Sequence, residues 1–194
     1  MKKIQDHYFK EARKQGYVAR SAFKLEEMDR KFRLLRRGQH VIDLGCAPGS
    51  WLQYAAKKVL PEGSLTGVDL KQVKIQFPEG VRIFQCDIYM LEESILASSR
   101  FDLVLSDMAP DTTGIPSVDS QRSYDLNSQA LSFAQRHLKP GGTLVLKAFQ
   151  GEPLNRLKSE IRACFESLKL FKPKSSRSES VEIFVLGFGL LPES

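Results

Sequence analysis

The chain has 194 residues, of which 42% are hydrophobic and 27% charged, a composition typical of one globular domain with a single core. No apolar run approaches the roughly 18 residues of a membrane-spanning helix and no signal peptide is recognised, so we expect no membrane association. The three cysteines, Cys46, Cys86 and Cys164, are odd in number and widely spaced, which indicates a reducing compartment and a cytoplasmic protein. The three histidines are equally dispersed, so no metal site is predicted.

The net charge of +6 is concentrated at the start of the chain. Residues 1–37 hold twelve basic and five acidic residues, and the remainder is close to neutral. Aromatic residues are interleaved with these basic ones at Tyr8, Phe9, Tyr17 and Phe23. Positive charge combined with aromatic rings favours nucleic acid as a partner, although a solvated amphipathic helix with a few core aromatics gives the same pattern. We predict a basic helical segment over 1–37, packed on a core that spans 38–194 within one structural domain.

The apolar pattern predicts alternating helices and strands. A polar stretch at 2–15, helical or partly disordered, precedes a helix with near-helical apolar spacing over 20–35. The predicted strands lie at 41–44, 65–69, 81–86, 101–106, 143–148, 168–171 and 181–187. The predicted helices lie at 51–60, 121–138 and 152–167, with a mobile loop at 111–120. This alternation predicts a Rossmann-like α/β fold with a mostly parallel seven-stranded sheet and helices on both faces.

The first predicted strand runs directly into a glycine-rich turn. The segment reads Asp43-Leu44-Gly45-Cys46-Ala47-Pro48-Gly49-Ser50-Trp51. Ser50 followed by Gln53 matches the S-x-x-Q capping box, which predicts that a helix begins near Trp51. A strand, a tight turn and a helix start form a binding site for a small molecule at the carboxyl end of a parallel strand.

The spacing of this turn narrows the choice of ligand. The dinucleotide fingerprint needs a third glycine beyond Gly45 and Gly49, and the phosphate loop needs a lysine after Gly49. Asp69 ends the next strand twenty positions after Gly49, where a carboxylate accepts hydrogen bonds from ribose hydroxyls. A ribose without a pyrophosphate indicates S-adenosylmethionine, although an ordinary βαβ unit remains an alternative. Trp51 either packs on this ligand or fills the core.

Acidic residues stand at the ends of the first four strands. They are Asp43, Asp69, Asp87 and Asp107, and Lys147 lies late in the fifth strand. Strand ends of a parallel sheet meet at one edge, so we expect these side chains to lie close together. In this arrangement Asp69 holds the ribose, Asp87 holds the adenine amine and Asp107 lies beside the sulfonium.

The sequence after the fourth strand restricts the methyl acceptor. Asp107-Met108-Ala109-Pro110 lacks the aromatic residue that stacks on a base in many N-methyltransferases. The chain also contains no Pro-Cys pair, the usual setting of the nucleophile for carbon-5 methylation of pyrimidines. A hydroxyl oxygen remains as the acceptor, and it requires a base or a cation such as Lys147.

Several motifs together resemble the FtsJ/RrmJ family of RNA ribose 2′-O-methyltransferases, over essentially the whole chain. Besides the glycine-rich turn, they are Ser21-Ala22-Phe23-Lys24-Leu25, Ser106-Asp107-Met108-Ala109-Pro110, Val145-Leu146-Lys147-Ala148-Phe149-Gln150-Gly151, Ser175-Ser176-Arg177-Ser178 and Val181-Glu182-Ile183-Phe184. The resemblance implies a catalytic tetrad at Lys24, Asp107, Lys147 and Glu182. It implies S-adenosylmethionine contacts at Gly49, Trp51, Asp69, Asp87 and Asp107, along the edge that also includes Gly45 and Pro48. S-adenosylhomocysteine is then the product, and no metal takes part.

Two positions depart from the family's bacterial pattern. Asp111 stands where an asparagine often follows the D-M-A-P motif, and Phe184 stands where an aromatic hydroxyl is common. The short chain resembles the branch that modifies a uridine of large-subunit (23S) ribosomal RNA, within the large ribosomal subunit. The alternatives are methylation of a tRNA anticodon loop, a non-catalytic RNA-binding or ribosome-assembly factor, and a small-molecule O-methyltransferase. We expect a monomer.

Overall fold

The computed structural model describes residues 2–90, 100–177 and 179–192. The strands are β1 (His40–Leu44), β2 (Ser64–Asp69), β3 (Val81–Gln85), β4 (Phe101–Ser106), β5 (Leu138–Phe149), β6 (Phe165–Phe171) and β7 (Glu182–Leu190). The helices are α1 (Lys2–Lys14), α2 (Ala22–Phe32), α3 (Ser50–Val59), α4 (Pro116–His137) and α5 (Pro153–Cys164), with a short 3₁₀ turn at Ile88–Met90. Ser178, the last residue of one quoted motif, lies outside the described residues.

The strands form one seven-stranded sheet in the order β3-β2-β1-β4-β5-β7-β6. Strands β1 to β5 pair in parallel, and β7 runs antiparallel to both β5 and β6. The predicted seven-stranded, mostly parallel α/β sheet is therefore confirmed. The order of strands reverses between β1 and β4, and ligands of such sheets bind at the carboxyl ends of the strands beside this point.

Helices cover both faces of the sheet, as predicted. On one face, α1, α2 and α3 bury residues such as Phe23 and Leu52 against alternate residues of the strands. On the other face, α4 and α5 bury residues such as Leu131 and Ile161. The basic N-terminal segment thus contributes part of the main core. Within the described part of the chain, no helix is both long and apolar enough to cross a lipid bilayer.

Helix α4 begins at Pro116, five residues before the predicted start. Proline suits the first turn of a helix, where its missing N–H is no loss. In this same turn, the Asp119 carboxylate accepts hydrogen bonds from the main-chain N–H groups of Thr113 and Gly114 and from the Thr113 hydroxyl. Residues 116–120 of the predicted loop at 111–120 therefore belong to the start of α4, and Thr113 and Gly114 are hydrogen-bonded to it.

The predicted capping box at Ser50 and Gln53 is wrong. The residue that caps α3 is Gly49, whose φ of 108° turns the chain into the helix, and no side chain caps the first turn. The Ser50 hydroxyl instead lies 2.8 Å from the Ser21 hydroxyl. The Gln53 amide bonds the main chain at Gly16 and Val18. Both polar side chains fasten the N-terminal segment to α3, a use that local sequence spacing does not reveal.

Candidate active site

A cavity of about 570 Å³ opens at the carboxyl ends of β1, β2 and β4, a volume typical of small-ligand sites. Four predicted residues line it: Gly45, Asp69, Asp87 and Asp107. The other lining residues come from the strand ends, the loops that follow them and one face of α4. They are Leu44, Ala47, Val68, Leu70, Lys71, Cys86, Ile88, Met108, Ala109, Pro110, Asp111, Arg122, Asp125, Leu126 and Gln129. The cavity thus lies at the edge that the sequence predicts for the cofactor.

Three predicted cofactor residues do not line this cavity: Pro48, Gly49 and Trp51. The Trp51 side chain is only 2% exposed, and its indole N–H donates to the Ser21 carbonyl. Its ring lies 5.9 Å from the Phe184 ring, centroid to centroid. The indole therefore fills the core, the second of the two interpretations that the sequence allowed.

The Asp69 carboxylate is fixed by two main-chain hydrogen bonds. One oxygen accepts from the Ala47 N–H at 2.8 Å, and the other accepts from the Lys71 N–H at 2.7 Å. A carboxylate oxygen can accept more than one hydrogen bond, so both oxygens retain capacity for the hydroxyls of a ligand. The first bond also ties the end of β2 to the glycine-rich turn after β1.

Asp43 is a buried carboxyl group beside the cavity to which the sequence assigned no role. It is 1% exposed, and neither of its oxygens has a hydrogen-bond partner among the described residues. Burial, followed by the nearby charges of Asp107 and Asp69, raises the pKa of Asp43 well above its usual range. The carboxyl groups that do line the cavity, those of Asp69, Asp87 and Asp107, favour a positively charged ligand.

Asp107 connects the cavity to Lys147. The Lys147 ammonium lies 2.9 Å from the Asp107 carboxylate and also donates to the main-chain oxygen of Asp107. Lys147 is 7% exposed, which is unusual for a lysine without a charged partner. The ion pair therefore satisfies a nearly buried amine and holds it beside Asp107, which lines the cavity.

A second ion pair joins α2 to β7. The Lys24 ammonium lies 2.6 Å from the Glu182 carboxylate, and the Ser176 hydroxyl donates to the same carboxylate at 2.7 Å. Burial by itself raises the pKa of Glu182, but attraction to Lys24 and hydrogen bonds from Lys24 and Ser176 hold it below its usual value. The charge of Lys147 acts in the same direction. Glu182 is therefore ionised and holds Lys24 in place.

The sheet register brings the two ion pairs together. In the antiparallel pairing of β5 with β7, Lys147 lies opposite Phe184, and Phe149 lies opposite Glu182. Lys147 and Glu182 are therefore diagonal neighbours on one face of the sheet. Val145, two residues before Lys147, belongs to the core beneath α2 and α3, so this is the face that Lys24 approaches. All four residues of the predicted tetrad meet here.

Sequence reasoning missed several residues of the site. Ser176 was quoted only as part of a motif, and its bond to Glu182 is visible only in the structure. Arg122, Asp125 and Gln129 line the cavity from α4, and their spacing of three and four residues places them on one helical face. Among the described residues, no group of three or more histidine, cysteine, aspartate or glutamate side chains is arranged to hold a metal ion.

Known proteins resemble this chain over nearly its whole length. A protein of Oleidesulfovibrio alaskensis named ribosomal RNA large subunit methyltransferase E is 43% identical, covering 100% of this chain and 96% of the relative. A protein of the same name from Desulfatibacillum aliphaticivorans is 46% identical, covering 95% of this chain and 90% of the relative. The crystal structure of a ribosomal RNA methyltransferase from Plasmodium falciparum has a TM-score of 0.80 at 28% identity, covering 91% of this chain and 100% of that one.

The family model described as FtsJ-like methyltransferase matches residues 17–190. This range contains the cavity, both ion pairs and every strand of the sheet. The resemblance predicted from the motifs is therefore confirmed, and the chain belongs to the FtsJ-like methyltransferase family.

Proposed function

We propose that this protein transfers a methyl group from S-adenosylmethionine to the 2′-hydroxyl of a ribose in RNA, specifically in a uridine of large-subunit ribosomal RNA. The names of its relatives support ribosomal RNA as the substrate. The observation that carries the proposal is the position of Asp107, which lines the cavity and lies 2.9 Å from the Lys147 ammonium. Asp107 thus links the cavity to a nearly buried amine.

The residues around the cavity fit S-adenosylmethionine. Asp69 has acceptor capacity for two ribose hydroxyls, and Asp87 is proposed to accept a hydrogen bond from the adenine amine. Gly45 and Ala47, the residues of the glycine-rich turn that line the cavity, are proposed to contact the methionine part. The carboxyl groups of Asp69 and Asp107 on the cavity wall suit a cationic ligand. When bound, S-adenosylmethionine supplies a methyl group on a positively charged sulfur and becomes S-adenosylhomocysteine.

The two lysines are proposed to act on the ribose. A neutral hydroxyl is a weak nucleophile, so its proton must leave as the new carbon–oxygen bond forms. Lys147 removes this proton or stabilises the forming alkoxide, and Lys24 positions the ribose. Asp107 and Glu182 orient the two amines through the ion pairs at 2.9 Å and 2.6 Å. No metal is required for any of these roles.

The RNA is proposed to bind on the face that carries α1, α2 and the loop between β6 and β7. Exposed basic residues lie on α1 at Lys10 and Arg13, and the loop adds Lys174 and Arg177. Phosphate contacts from such residues supply sequence-independent affinity. We further propose that the protein is a monomer and that it acts in the cytoplasm. Light scattering provides a direct test of the monomeric state.

The test is to supply methyl-labelled S-adenosylmethionine with several acceptors in parallel. They are the naked large-subunit RNA, the assembled large subunit, bulk tRNA and a pool of small metabolites. The proposal predicts label in a 2′-O-methyluridine of large-subunit RNA, and the first two acceptors show whether the particle is needed. Label in tRNA or in metabolites contradicts large-subunit RNA as the substrate and identifies the acceptor instead. Tight RNA binding without any methyl transfer indicates a non-catalytic binding protein.

A further inference from the structure

Glu27 on α2 binds the main chain of a distant loop. One oxygen of its carboxylate accepts from the N–H of Lys174 at 2.7 Å, and the other accepts from the N–H of Ser175 at 2.9 Å. These loop residues follow Glu27 by 147 and 148 positions and lie between β6 and β7. Hydrogen bonds to an ionised acceptor are the stronger kind, and two from one carboxylate also fix direction.

The next residue of the loop leads to the predicted catalytic pair. The Ser176 hydroxyl donates to Glu182, which in turn pairs with Lys24. Lys24 and Glu27 are three positions apart on α2, so they project from the same side of that helix. The contacts form a closed ring that runs from Glu27 through the loop and Glu182 to Lys24, and back along α2.

Glu27 places a negative charge against a basic loop. Lys172, Lys174 and Arg177 make the loop basic, and two of its main-chain N–H groups donate to the Glu27 carboxylate. Glu27 also affects α1, because burial and then the Glu27 charge raise the pKa of Tyr8. One carboxylate thus stands where α1, α2 and the loop meet.

We propose that Glu27 is a positioning residue for methyl transfer, acting through the loop, Ser176 and Glu182 on the Lys24 amine. This inference rests on the proposed function. A displaced catalytic group slows the reaction while substrate binding persists, and a shift of about 1 Å can cost on the order of 10²-fold in rate. Loss of Glu27 should therefore lower the rate of transfer and leave the cofactor cavity unchanged.

The chain offers a matched control at the neighbouring position. Glu26 lies on the same helix and pairs with Arg30 at 2.6 Å, one turn away at the surface. Glu26→Gln and Glu27→Gln remove the same charge from the same basic segment. Only Glu27→Gln places a side-chain NH₂ donor opposite a loop N–H donor, so that a hydrogen bond is lost. A general gain in RNA affinity from the lost charge should appear in both variants.

The experiment measures single-turnover methylation, RNA and S-adenosylmethionine affinity, and amide hydrogen exchange at Lys174 and Ser175. For Glu27→Gln we expect faster exchange at both amides, a rate lowered by about ten- to a hundredfold, and unchanged S-adenosylmethionine affinity. Glu26→Gln should retain the wild-type rate and protection. Ser176→Ala should slow the reaction too. The variant that combines Glu27→Gln with Ser176→Ala should lose less rate than the two separate effects combined, because both substitutions act through the same contacts.

Three results overturn the inference. Unchanged amide protection in Glu27→Gln shows that the carboxylate does not hold the loop. Faster exchange with a wild-type rate shows that the held loop does not serve the reaction, and an equal loss in Glu26→Gln assigns the effect to charge alone. If Glu27→Gln does not fold, the same measurements are made on Glu27→Asp, which keeps the charge but shortens the side chain.

The failure of this inference can be told apart from the failure of the proposed function. A wild-type protein that methylates no RNA contradicts the proposed function, whereas amide exchange tests the loop attachment and does not depend on methylation activity.

Discussion

The Lys147 ammonium lies 2.9 Å from the Asp107 carboxylate, and Asp107 is also part of the cavity wall. Asp107 follows β4 and Lys147 is in β5, the neighbouring parallel strand. Under the proposed function, this pair links two roles at neighbouring strand ends: the Asp107 carboxylate lines the cofactor cavity, and the Lys147 amine acts on the methyl acceptor.

Asp69→Ala tests the position of the cofactor. The substitution removes the acceptor proposed for the ribose hydroxyls, together with the bond from the Ala47 N–H. Loss of such buried hydrogen bonds costs about 1–3 kcal/mol, so S-adenosylmethionine affinity should fall by roughly ten- to a hundredfold. Calorimetric titration of the folded variant provides the measurement. Unchanged affinity contradicts the placement of the ribose at the end of β2.

Gly45→Ala tests the close approach of the two loops at the cavity. A Cβ at Gly45 meets the Met108 side chain at 2.6 Å, and the φ of this glycine is +78°. Gly114, with a φ of +82° and nothing within 4 Å, is the matched control for backbone strain alone. Gly45→Ala should lose about 1–3 kcal/mol more unfolding free energy than Gly114→Ala, and only Gly45→Ala should bind S-adenosylmethionine more weakly. Equal losses in the two variants contradict a role for the close approach.

The sequence predicted the meeting of Asp69, Asp87 and Asp107 because the ends of parallel strands must share an edge once the strands are located. Asp107 and Lys147 follow from the same reasoning, since neighbouring strands carry them. The direction of the Trp51 side chain does not follow from spacing, because rotation of α3 is set by contacts with Ser21 and Phe184. These partners lie 30 and 133 positions away in the chain, beyond the reach of a local pattern.

Other features depended on contacts between distant segments. Ser50 and Gln53 match a local capping pattern, but the chain uses both to hold the N-terminal segment. The bond from Ser176 to Glu182 requires a loop whose path is fixed by Glu27. Local spacing predicts where elements lie, whereas side-chain partners across elements depend on the packing of the whole domain.

The salt dependence of RNA binding tests the proposed binding face. Each lost phosphate contact should lower the slope of log affinity against log salt by about 0.7–0.9. Lys174→Ala combined with Arg177→Ala should therefore flatten the slope by roughly 1.5. The control, Lys158→Ala combined with Arg162→Ala, removes the same charge from α5 on the other face of the sheet. Equal slopes for the two double variants contradict the assignment of this face.

The pH dependence of stability tests the pair of Lys24 with Glu182. The pKa of Glu182 is lower in the folded protein, so its stabilising effect is full above the unfolded value and is lost as the pH falls through the folded value. Glu182→Gln leaves the nearly buried Lys24 without a counter-charge, at a cost of about 3 kcal/mol at neutral pH. Urea unfolding should show this difference shrinking below about pH 4.5. A difference that is constant from pH 7 to pH 3 contradicts the ion pair.

The role of Lys147 is tested most directly by single-turnover methylation of large-subunit RNA with Lys147→Ala and Lys147→Arg. Loss of a general base costs about 10²–10⁴-fold in rate, so Lys147→Ala should abolish turnover while S-adenosylmethionine and RNA still bind. Lys147→Arg should fail as well, because a guanidinium does not release its proton at working pH. A near-wild-type rate for Lys147→Arg leaves only the role of a stabilising cation. A near-wild-type rate for Lys147→Ala contradicts the account, because it removes Lys147 from the reaction.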